Sequence, residues 1–314
     1  MIFLNILLLL VGFVLLIKGA DFFVDGSSSI AKLIGIPGFV VGLTVVAMGT
    51  SAPEAAVSIT AGIQKSNEIA ISNVVGSNIF NLLVVAGVCA IIKPYSIEKI
   101  MLRRDFPVNI AMSGVLLLLM LLGNALGLID GIILLALFIL YNVVVIVSAF
   151  KNRSTLEEEG GKKLSPLLSV LAIIGGLAAV IFGGNLVVNN ATEIARVLGL
   201  SETFIGLTII AIGTSLPELV TSVVAAKKGE SGLALGNVIG SNIFNILLIL
   251  GLSSSITTIA VDSSAIINVI VMTAVTALIF IPCLIKKSMG RVVGILSVLA
   301  YVGYTVYLLM NAKA

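Results

Sequence analysis

One polar stretch occurs twice in this otherwise apolar chain, and it constrains the fold more than any other feature. The first copy is Gly42-Leu-Thr-Val-Val-Ala-Met-Gly-Thr-Ser-Ala-Pro-Glu54, and the second is Gly206-Leu-Thr-Ile-Ile-Ala-Ile-Gly-Thr-Ser-Leu-Pro-Glu218. Each copy places a glutamate inside an apolar run, where an ionised carboxylate costs about 2.5–3.5 kcal/mol on membrane-insertion scales. Two carboxylates in matching contexts require an interaction that offsets this free-energy cost. We interpret them as two halves of a site that binds and releases a cation.

The composition is that of a polytopic helical membrane protein. The chain has 314 residues, of which 59% are hydrophobic and 11% charged, and its mean hydropathy is +1.24. Its apolar runs are long and do not alternate with polar residues, which favours an all-α fold over a β-barrel. We count ten membrane spans, at residues 2–20, 36–62, 69–92, 106–124, 128–149, 167–190, 202–226, 233–255, 264–285 and 291–311. The first run lacks the basic start and cleavage site of a signal peptide.

The duplication extends along the chain and predicts two inverted repeats. The shift of 164 residues that aligns the opening stretches also aligns Gly76-Ser-Asn-Ile-Phe-Asn81 with Gly240-Ser-Asn-Ile-Phe-Asn245. A polar linker, residues 151–165, separates a first five-helix repeat, 1–150, from a second, 166–314. Because five is an odd number, the second repeat enters the membrane in the opposite sense. Inverted repeats are typical of transporters whose site lies at the midplane between the repeats.

The basic residues predict the orientation of these spans. Of the 18 Lys and Arg residues, 15 follow odd-numbered spans, and only Lys65, Arg196 and Lys313 lie on the other side. The positive-inside rule then places both termini outside the cell membrane and the linker Lys151–Ser165 in the cytoplasm. The basic residues are scattered through the loops, so we expect no nucleic-acid partner. The apolar spans indicate that the lipid bilayer surrounds this chain.

Four polar stripes at helical spacing carry the candidate chemistry. Their members are all hydroxyl, amide or carboxylate side chains: Thr50, Glu54 and Ser58; Thr214, Glu218 and Ser222; Asn73, Ser77 and Asn81; Asn237, Ser241 and Asn245. Glu54 and Glu218 are the only acidic residues that fall well inside a predicted span. Pro53 and Pro217 should break their helices and free nearby carbonyl groups. Such oxygen donors, without sulfur or imidazole, suit a hard cation such as Ca²⁺.

Ordinary structural roles account for single members of these stripes, but not for the glutamates. A membrane Ser or Thr commonly bonds to its own backbone, and small residues commonly serve helix packing. Neither glutamate has a Lys or Arg in its stretch, so a proton or a metal ion must neutralise it. The chain contains no histidine, which removes Ser-His and Cys-His catalysis. We therefore expect neither an enzyme nor a cofactor, and no required protein partner.

The paired G-T-S-x-P-E and G-S-N-I-x-N stretches resemble those of the cation/Ca²⁺ exchanger superfamily, in particular the archaeal and bacterial relatives of the Na⁺/Ca²⁺ exchangers. The resemblance implies an antiporter that moves Ca²⁺ and Na⁺ by alternating access. It implies a Ca²⁺ site formed by Glu54, Glu218, Thr50 and Thr214. It also implies flanking Na⁺ sites and a central cluster, with ligands from Ser51, Ser77, Ser215, Ser241, the carbonyls of Ala47 and Ala211, and the amides of Asn81 and Asn245.

The choice of driving ion stays open at this point. Many relatives, including the K⁺-dependent exchangers, carry an aspartate at the position of Asn245, so the amide argues against K⁺ dependence. The H⁺/Ca²⁺ branch usually has Gly-Asn where this chain has Gly-Thr-Ser, which favours Na⁺. H⁺/Ca²⁺ exchange with Glu54 and Glu218 as proton carriers is the alternative, and a passive cation channel is a more distant one. We expect the first and sixth spans, rich in glycine and without polar stripes, to slide as a gate.

Overall fold

The computed structural model describes residues 2–64, 67–151, 164–200 and 205–311. Within them, eight helices are long and apolar enough to cross a membrane, and two bent helix pairs bring the number to ten. In chain order they are α1 Ile2–Ile34, α2 Gly38–Thr50 with Ala52–Ile63, α3 Ile69–Ile92, α4 Met101–Gly123, α5 Leu128–Lys151, α6 Pro166–Val197, α7 Thr208–Thr214 with Leu216–Lys228, α8 Ser231–Ile256, α9 Ser263–Lys286 and α10 Arg291–Met310. The prediction of an all-α protein with ten spans is confirmed.

Helices α1 and α6 are longer than the predicted spans 2–20 and 167–190. They contain 33 and 32 residues, and about 50 Å of helix at 1.5 Å per residue exceeds a hydrocarbon core of about 30 Å. Both end at a glycine in the left-handed region, Gly35 at φ 68° and Gly199 at φ 79°. The predicted ends were wrong because charged residues lower hydropathy without stopping a helix, whereas a left-handed glycine does stop it.

Short π-helical turns recur at matching places in the two repeats. Gly42–Val46 in α2 corresponds to Gly206–Ile210 at the start of α7, and Asn81–Val85 in α3 corresponds to Asn245–Ile249 in α8. Single π-helical turns inside α-helices are frequently found at functional sites. Two of these turns begin at Asn81 and Asn245, which belong to the polar stripes.

Four two-residue strands show that the repeats are inverted. They are β1 Tyr95–Ser96, β2 Ala125–Leu126, β3 Ile259–Ala260 and β4 Ser288–Met289, and β1 pairs with β4 while β2 pairs with β3. Strands β1 and β2 lie at opposite ends of α4. The repeat shift makes β3 the counterpart of β1, yet β3 joins β2 at the other end. Corresponding parts of the two repeats therefore face opposite sides of the molecule.

Helices α1 and α6 run antiparallel with their backbones in contact. Gly12 lies against Gly183, Gly19 against Gly176, and Gly26 against Ser169. Glycine permits this approach, since a side chain at these positions has no room. Helices α3 and α8 are more buried than this pair, with α8 almost wholly buried and α3 largely buried. The polar stripes of α2, α3, α7 and α8 are thus collected inside, while α1 and α6 form a separate close pair.

We expect Gly176→Val to destabilise the protein and Gly175→Val to leave it nearly unchanged. A Cβ atom at Gly176 lies 2.5 Å from the backbone nitrogen of Phe23 and 2.7 Å from the carbonyl oxygen of Gly19, whereas nothing lies within 4 Å of a Cβ at Gly175. Overpacking of this kind costs about 1–3 kcal/mol. The melting temperatures of both purified variants in detergent provide the measurement, and equal losses contradict the close packing of α1 on α6.

Candidate cation-binding site

Each glutamate follows a break in its helix. Helix α2 bends by 49° and α7 by 55° between their two halves, at Ser51 and Ser215. Pro53 and Pro217 occupy the second position of the second half, where a missing backbone N–H is tolerated. The prediction that the prolines break these helices is confirmed. Glu54 and Glu218 consequently lie in the first turn of a helix, where the helix dipole favours a negative charge.

Each carboxylate is held by a serine from the opposite repeat. Ser215 Oγ donates to Glu54 Oε1 at 3.0 Å, and Ser51 Oγ donates to Glu218 Oε1 at 2.9 Å. Ser77 Oγ adds a longer hydrogen bond of 3.4 Å to Glu54 Oε1. Both glutamate side chains are fully buried. The crossed hydrogen bonds join the two broken helices and bring the two predicted carboxylates into one arrangement.

Six buried oxygen atoms of the predicted site lack a hydrogen-bond partner among the described residues. They are Glu54 Oε2, Glu218 Oε2, Asn81 Oδ1, Asn245 Oδ1, Thr214 Oγ1 and Ser241 Oγ. Leaving one buried polar group unsatisfied costs about 1–3 kcal/mol, so a concentration of such atoms indicates an occupant. All six are hard oxygens from α2, α3, α7 and α8, the donor type that Ca²⁺ and Na⁺ accept.

The two repeats do not use their threonines alike. The single Thr50 hydroxyl hydrogen has two acceptors within reach, Val46 O at 3.1 Å and Asn237 Oδ1 at 3.0 Å. Thr214 Oγ1 has no hydrogen-bond partner among the described residues. The Ala47 carbonyl accepts from Ser51 N at 3.1 Å. A carbonyl oxygen has a second lone pair, so this bond leaves Ala47 able to contribute to a cation site. The backbone of Ala211 begins the turn that precedes Ser215.

The outer members of the polar stripes hold helices together. Asn73 Nδ2 donates to Ser58 Oγ at 2.9 Å and to the backbone oxygen of Glu54 at 3.2 Å. Asn237 Nδ2 donates to Ser222 Oγ at 3.0 Å. These bonds join α2 to α3 and α7 to α8, which fixes the helices that present the glutamates.

Two groups of buried polar residues were not predicted from the sequence. Asn78 and Asn242 hydrogen-bond to one another across the repeats, and they lie one residue away from the stripe positions. Asp105 is also fully buried, although it lies near the start of α4 rather than well inside the span. Asp105 differs from Glu54 and Glu218 because Arg104 pairs with it at 2.7 Å and Tyr141 donates to it at 3.1 Å.

The candidate donors among the described residues are oxygen atoms. No group of three or more His, Cys, Asp or Glu side chains lies together there. Cys89 and Cys283 are free and buried. Two carboxylates surrounded by neutral oxygens can instead balance one divalent cation, or share their charge among monovalent ions.

Comparisons with known proteins identify the family of this chain. The family model described as sodium/calcium exchanger protein matches residues 4–147 and 168–310. The chain is 35% identical to the sodium/calcium exchanger MaX1 of Methanosarcina acetivorans, over 98% of this chain and 99% of that protein. It is 38% identical to the inner membrane protein YrbG of Escherichia coli, over 82% of each. It also matches a solved structure of the sodium-calcium exchanger NCX_Mj with a TM-score of 0.86 and 33% identity, over 98% of this chain and all of that one.

We expect Glu54→Gln and Glu218→Gln to abolish thermal stabilisation by Ca²⁺. At about 100 times its dissociation constant, a ligand raises the free energy of unfolding by about 2.7 kcal/mol. Loss of one of two carboxylates should remove nearly all of this gain, because the divalent charge is then only half balanced. Melting curves with and without Ca²⁺ measure the effect.

Glu193→Gln is the matched control for these two variants. Glu193 is exposed and pairs with Arg196 at 2.7 Å on the same helix. The Glu193→Gln substitution makes the same chemical change far from the buried oxygens. Ca²⁺ should therefore stabilise this variant as much as it stabilises the unaltered protein. Equal stabilisation of all four proteins would show that Ca²⁺ binds elsewhere.

Proposed function

The chain belongs to the sodium/calcium exchanger protein family, and we propose that it exchanges Na⁺ for Ca²⁺ at the site built from α2, α3, α7 and α8. It is a multi-pass membrane transporter and not an enzyme, with the ions as cargo. The observation that supports the proposal is the pair of buried glutamates, each with one unpartnered oxygen. Together they carry a formal charge of −2, which a single Ca²⁺ cancels.

Competition for the same carboxylates couples the two cargoes. We assign Ca²⁺ to Glu54, Glu218, Thr50 and Thr214. We assign Na⁺ to the hydroxyls and carbonyls beside them, namely Ser51, Ser77, Ser215, Ser241, Ala47 and Ala211, with Asn81 and Asn245 completing the centre. Both cargoes need the glutamates, so they cannot be bound together. An empty site holds unpaired buried charge, which is unfavourable and opposes movement without cargo.

The neutral donors favour Na⁺ over H⁺ as the driving ion. A proton needs only a carboxylate oxygen, whereas Na⁺ requires several further oxygens. The unpartnered atoms include hydroxyl and amide oxygens as well as carboxylates. The relatives MaX1 and NCX_Mj are both named as sodium/calcium exchangers. H⁺/Ca²⁺ exchange is the second candidate, because a buried carboxylate without a cationic partner is readily neutralised by a proton.

The topology follows from the repeats and the basic residues. We propose that 1–150 and 166–314 are the two inverted units and that 151–165 is a cytoplasmic linker, most of which lies outside the described residues. Both termini then face the outside of the cell membrane, and no protein partner is needed. If three Na⁺ exchange for one Ca²⁺, as the family implies, one net charge crosses per cycle. At 100 mV this movement is worth about 2.3 kcal/mol.

We further propose that α1 and α6 slide together as the gate. Three ion pairs join the proposed cytoplasmic end of α1 to the end of α7 and the start of α8. Lys228 Nζ lies 2.7 Å from Asp25 Oδ1 and 3.4 Å from Asp21 Oδ1, and Lys32 Nζ lies 3.0 Å from Glu230 Oε1. We call these ion pairs the latch. A sliding α1 must break the latch before the cytoplasmic side can open.

We expect Ca²⁺ uptake into proteoliposomes to follow an outward Na⁺ gradient. Vesicles loaded with Na⁺ and diluted into radioactive Ca²⁺ without Na⁺ should accumulate it. K⁺-loaded vesicles should not, since they have no outward Na⁺ gradient. Glu54→Gln and Glu218→Gln should abolish the uptake, and Glu193→Gln should retain it. Uptake that follows an imposed pH gradient in the absence of Na⁺ contradicts the choice of driving ion and favours the H⁺ alternative.

We expect Lys228→Gln to loosen the cytoplasmic end of α1. The lysine pairs with two aspartates of α1, and partly exposed ion pairs contribute up to about 1 kcal/mol each. Loss of both pairs removes up to about 2 kcal/mol, so amide hydrogen exchange in residues 21–34 should accelerate by up to about thirtyfold, measured by mass spectrometry in lipid nanodiscs.

Lys18→Gln is the control, because the contact of Lys18 with Asp21, at 3.9 Å, stays within α1. Lys18→Gln removes the same positive charge but no contact between α1 and α7. Equal exchange rates in the two variants would refute the latch.

A further inference from the structure

Four buried asparagines form a reciprocal network between α3 and α8. Asn78 Nδ2 donates to the backbone oxygen of Asn242, and Asn242 Nδ2 donates to the backbone oxygen of Asn78, both at 3.1 Å. Asn81 Nδ2 then donates to Asn242 Oδ1 at 3.2 Å, and Asn245 Nδ2 donates to Asn78 Oδ1 at 3.0 Å. All four side chains are essentially inaccessible. The network crosses between the repeats at every bond.

Donor and acceptor chemistry permits only one orientation of each amide in this network. A backbone carbonyl can only accept, so Asn78 and Asn242 must each turn their NH₂ group toward it. Their own Oδ1 atoms are then left on the other side, where they can only accept. Asn81 and Asn245 must therefore present their NH₂ groups to these oxygens. Their own Oδ1 atoms are left without a partner among the described residues.

We propose that Asn78 and Asn242 are positioning residues that force Asn81 and Asn245 to turn oxygen, rather than NH₂, toward the cation site. This inference rests on the proposed function, since it assigns a role within the same site. An NH₂ group facing a cation repels it, so an unrestrained amide at 81 or 245 spends part of its time in a non-binding orientation. Each repeat thus orients the central ligand of the other.

An aspartate at the ligand position removes the need for this control. A carboxylate has an oxygen on both sides, so Asn81→Asp turns oxygen toward the site without Asn242, and Asn245→Asp does so without Asn78. In each variant the other carboxylate oxygen faces the accept-only Oδ1 of the positioning residue, so that residue no longer favours binding. In the Asn245→Asp background, Asn81 still depends on Asn242, and in the Asn81→Asp background, Asn245 still depends on Asn78. Asn242→Leu does not disturb Asn78, because the backbone oxygen of residue 242 that orients the Asn78 amide stays in place. The pseudo-symmetry therefore supplies a matched control for each pair.

Two double-mutant cycles test the proposal, with the Ca²⁺ concentration for half-maximal Na⁺-driven uptake as the readout. In the unaltered protein, Asn242→Leu should raise this concentration about tenfold, the effect of one lost hydrogen bond. In the Asn81→Asp background Asn242→Leu should not raise this concentration, and in the Asn245→Asp background the tenfold rise should persist. Asn78→Leu should give the mirror pattern, with its effect lost only in Asn245→Asp.

The controls separate positioning from folding. A merely structural role lowers the maximal rate in every background alike and leaves the half-maximal concentration unchanged. Where the Leu variant does not fold, Asn242→Ser keeps a polar group at the position but is too short to hold Asn81, and it should show the same dependence on background. Equal shifts in all backgrounds overturn the positioning role. Absence of Na⁺-driven uptake in the unaltered protein instead overturns the proposed function.

Discussion

Two fully buried carboxylates, with no Lys or Arg paired to either in the described part of the chain, set the conditions that the rest of the structure meets. A fixed cation beside Glu54 and Glu218 would stabilise the fold but would leave nothing for a mobile ion to balance. Asp105 provides the contrast within the same molecule, because Arg104 and Tyr141 satisfy it permanently. The two glutamates, by contrast, leave a buried negative charge that a proton or a metal ion has to balance.

The inverted repeat converts that requirement into exchange. Ser51 and Ser215 each hold the carboxylate of the other repeat, so neither half of the molecule contains a complete site. An ion bound at the centre contacts both halves and stabilises their association. If α1 and α6 move as the proposed gate, the symmetry provides a similar path on each side. A single site can then serve both membrane faces without itself crossing the bilayer.

The sequence predicted the spans, the duplication and the helix breaks because each depends on local residues. Apolar runs mark the spans, and Pro53 and Pro217 mark the breaks. It did not predict the full length of α1, since helix ends depend on backbone conformation at Gly35 rather than on hydropathy. It also missed Asn78, because periodicity selects residues on one helix face and cannot show which backbone oxygen from another helix lies opposite. The different hydrogen bonds of the two threonines are likewise properties of tertiary packing alone.

The charges at the two ends of the gate break the symmetry of the fold. Asp21 and Lys228 belong to the latch at one end, whereas the residues that the repeat shift places at the other end are Asn185 and Gln64, both neutral. The ion pair between Lys228 and Asp21 therefore has no charged counterpart in the other repeat. Partly exposed ion pairs contribute little individually, so the latch shifts the balance between the two facings modestly. An exchanger requires such a modest bias, since a strongly favoured facing would slow the return step of every cycle.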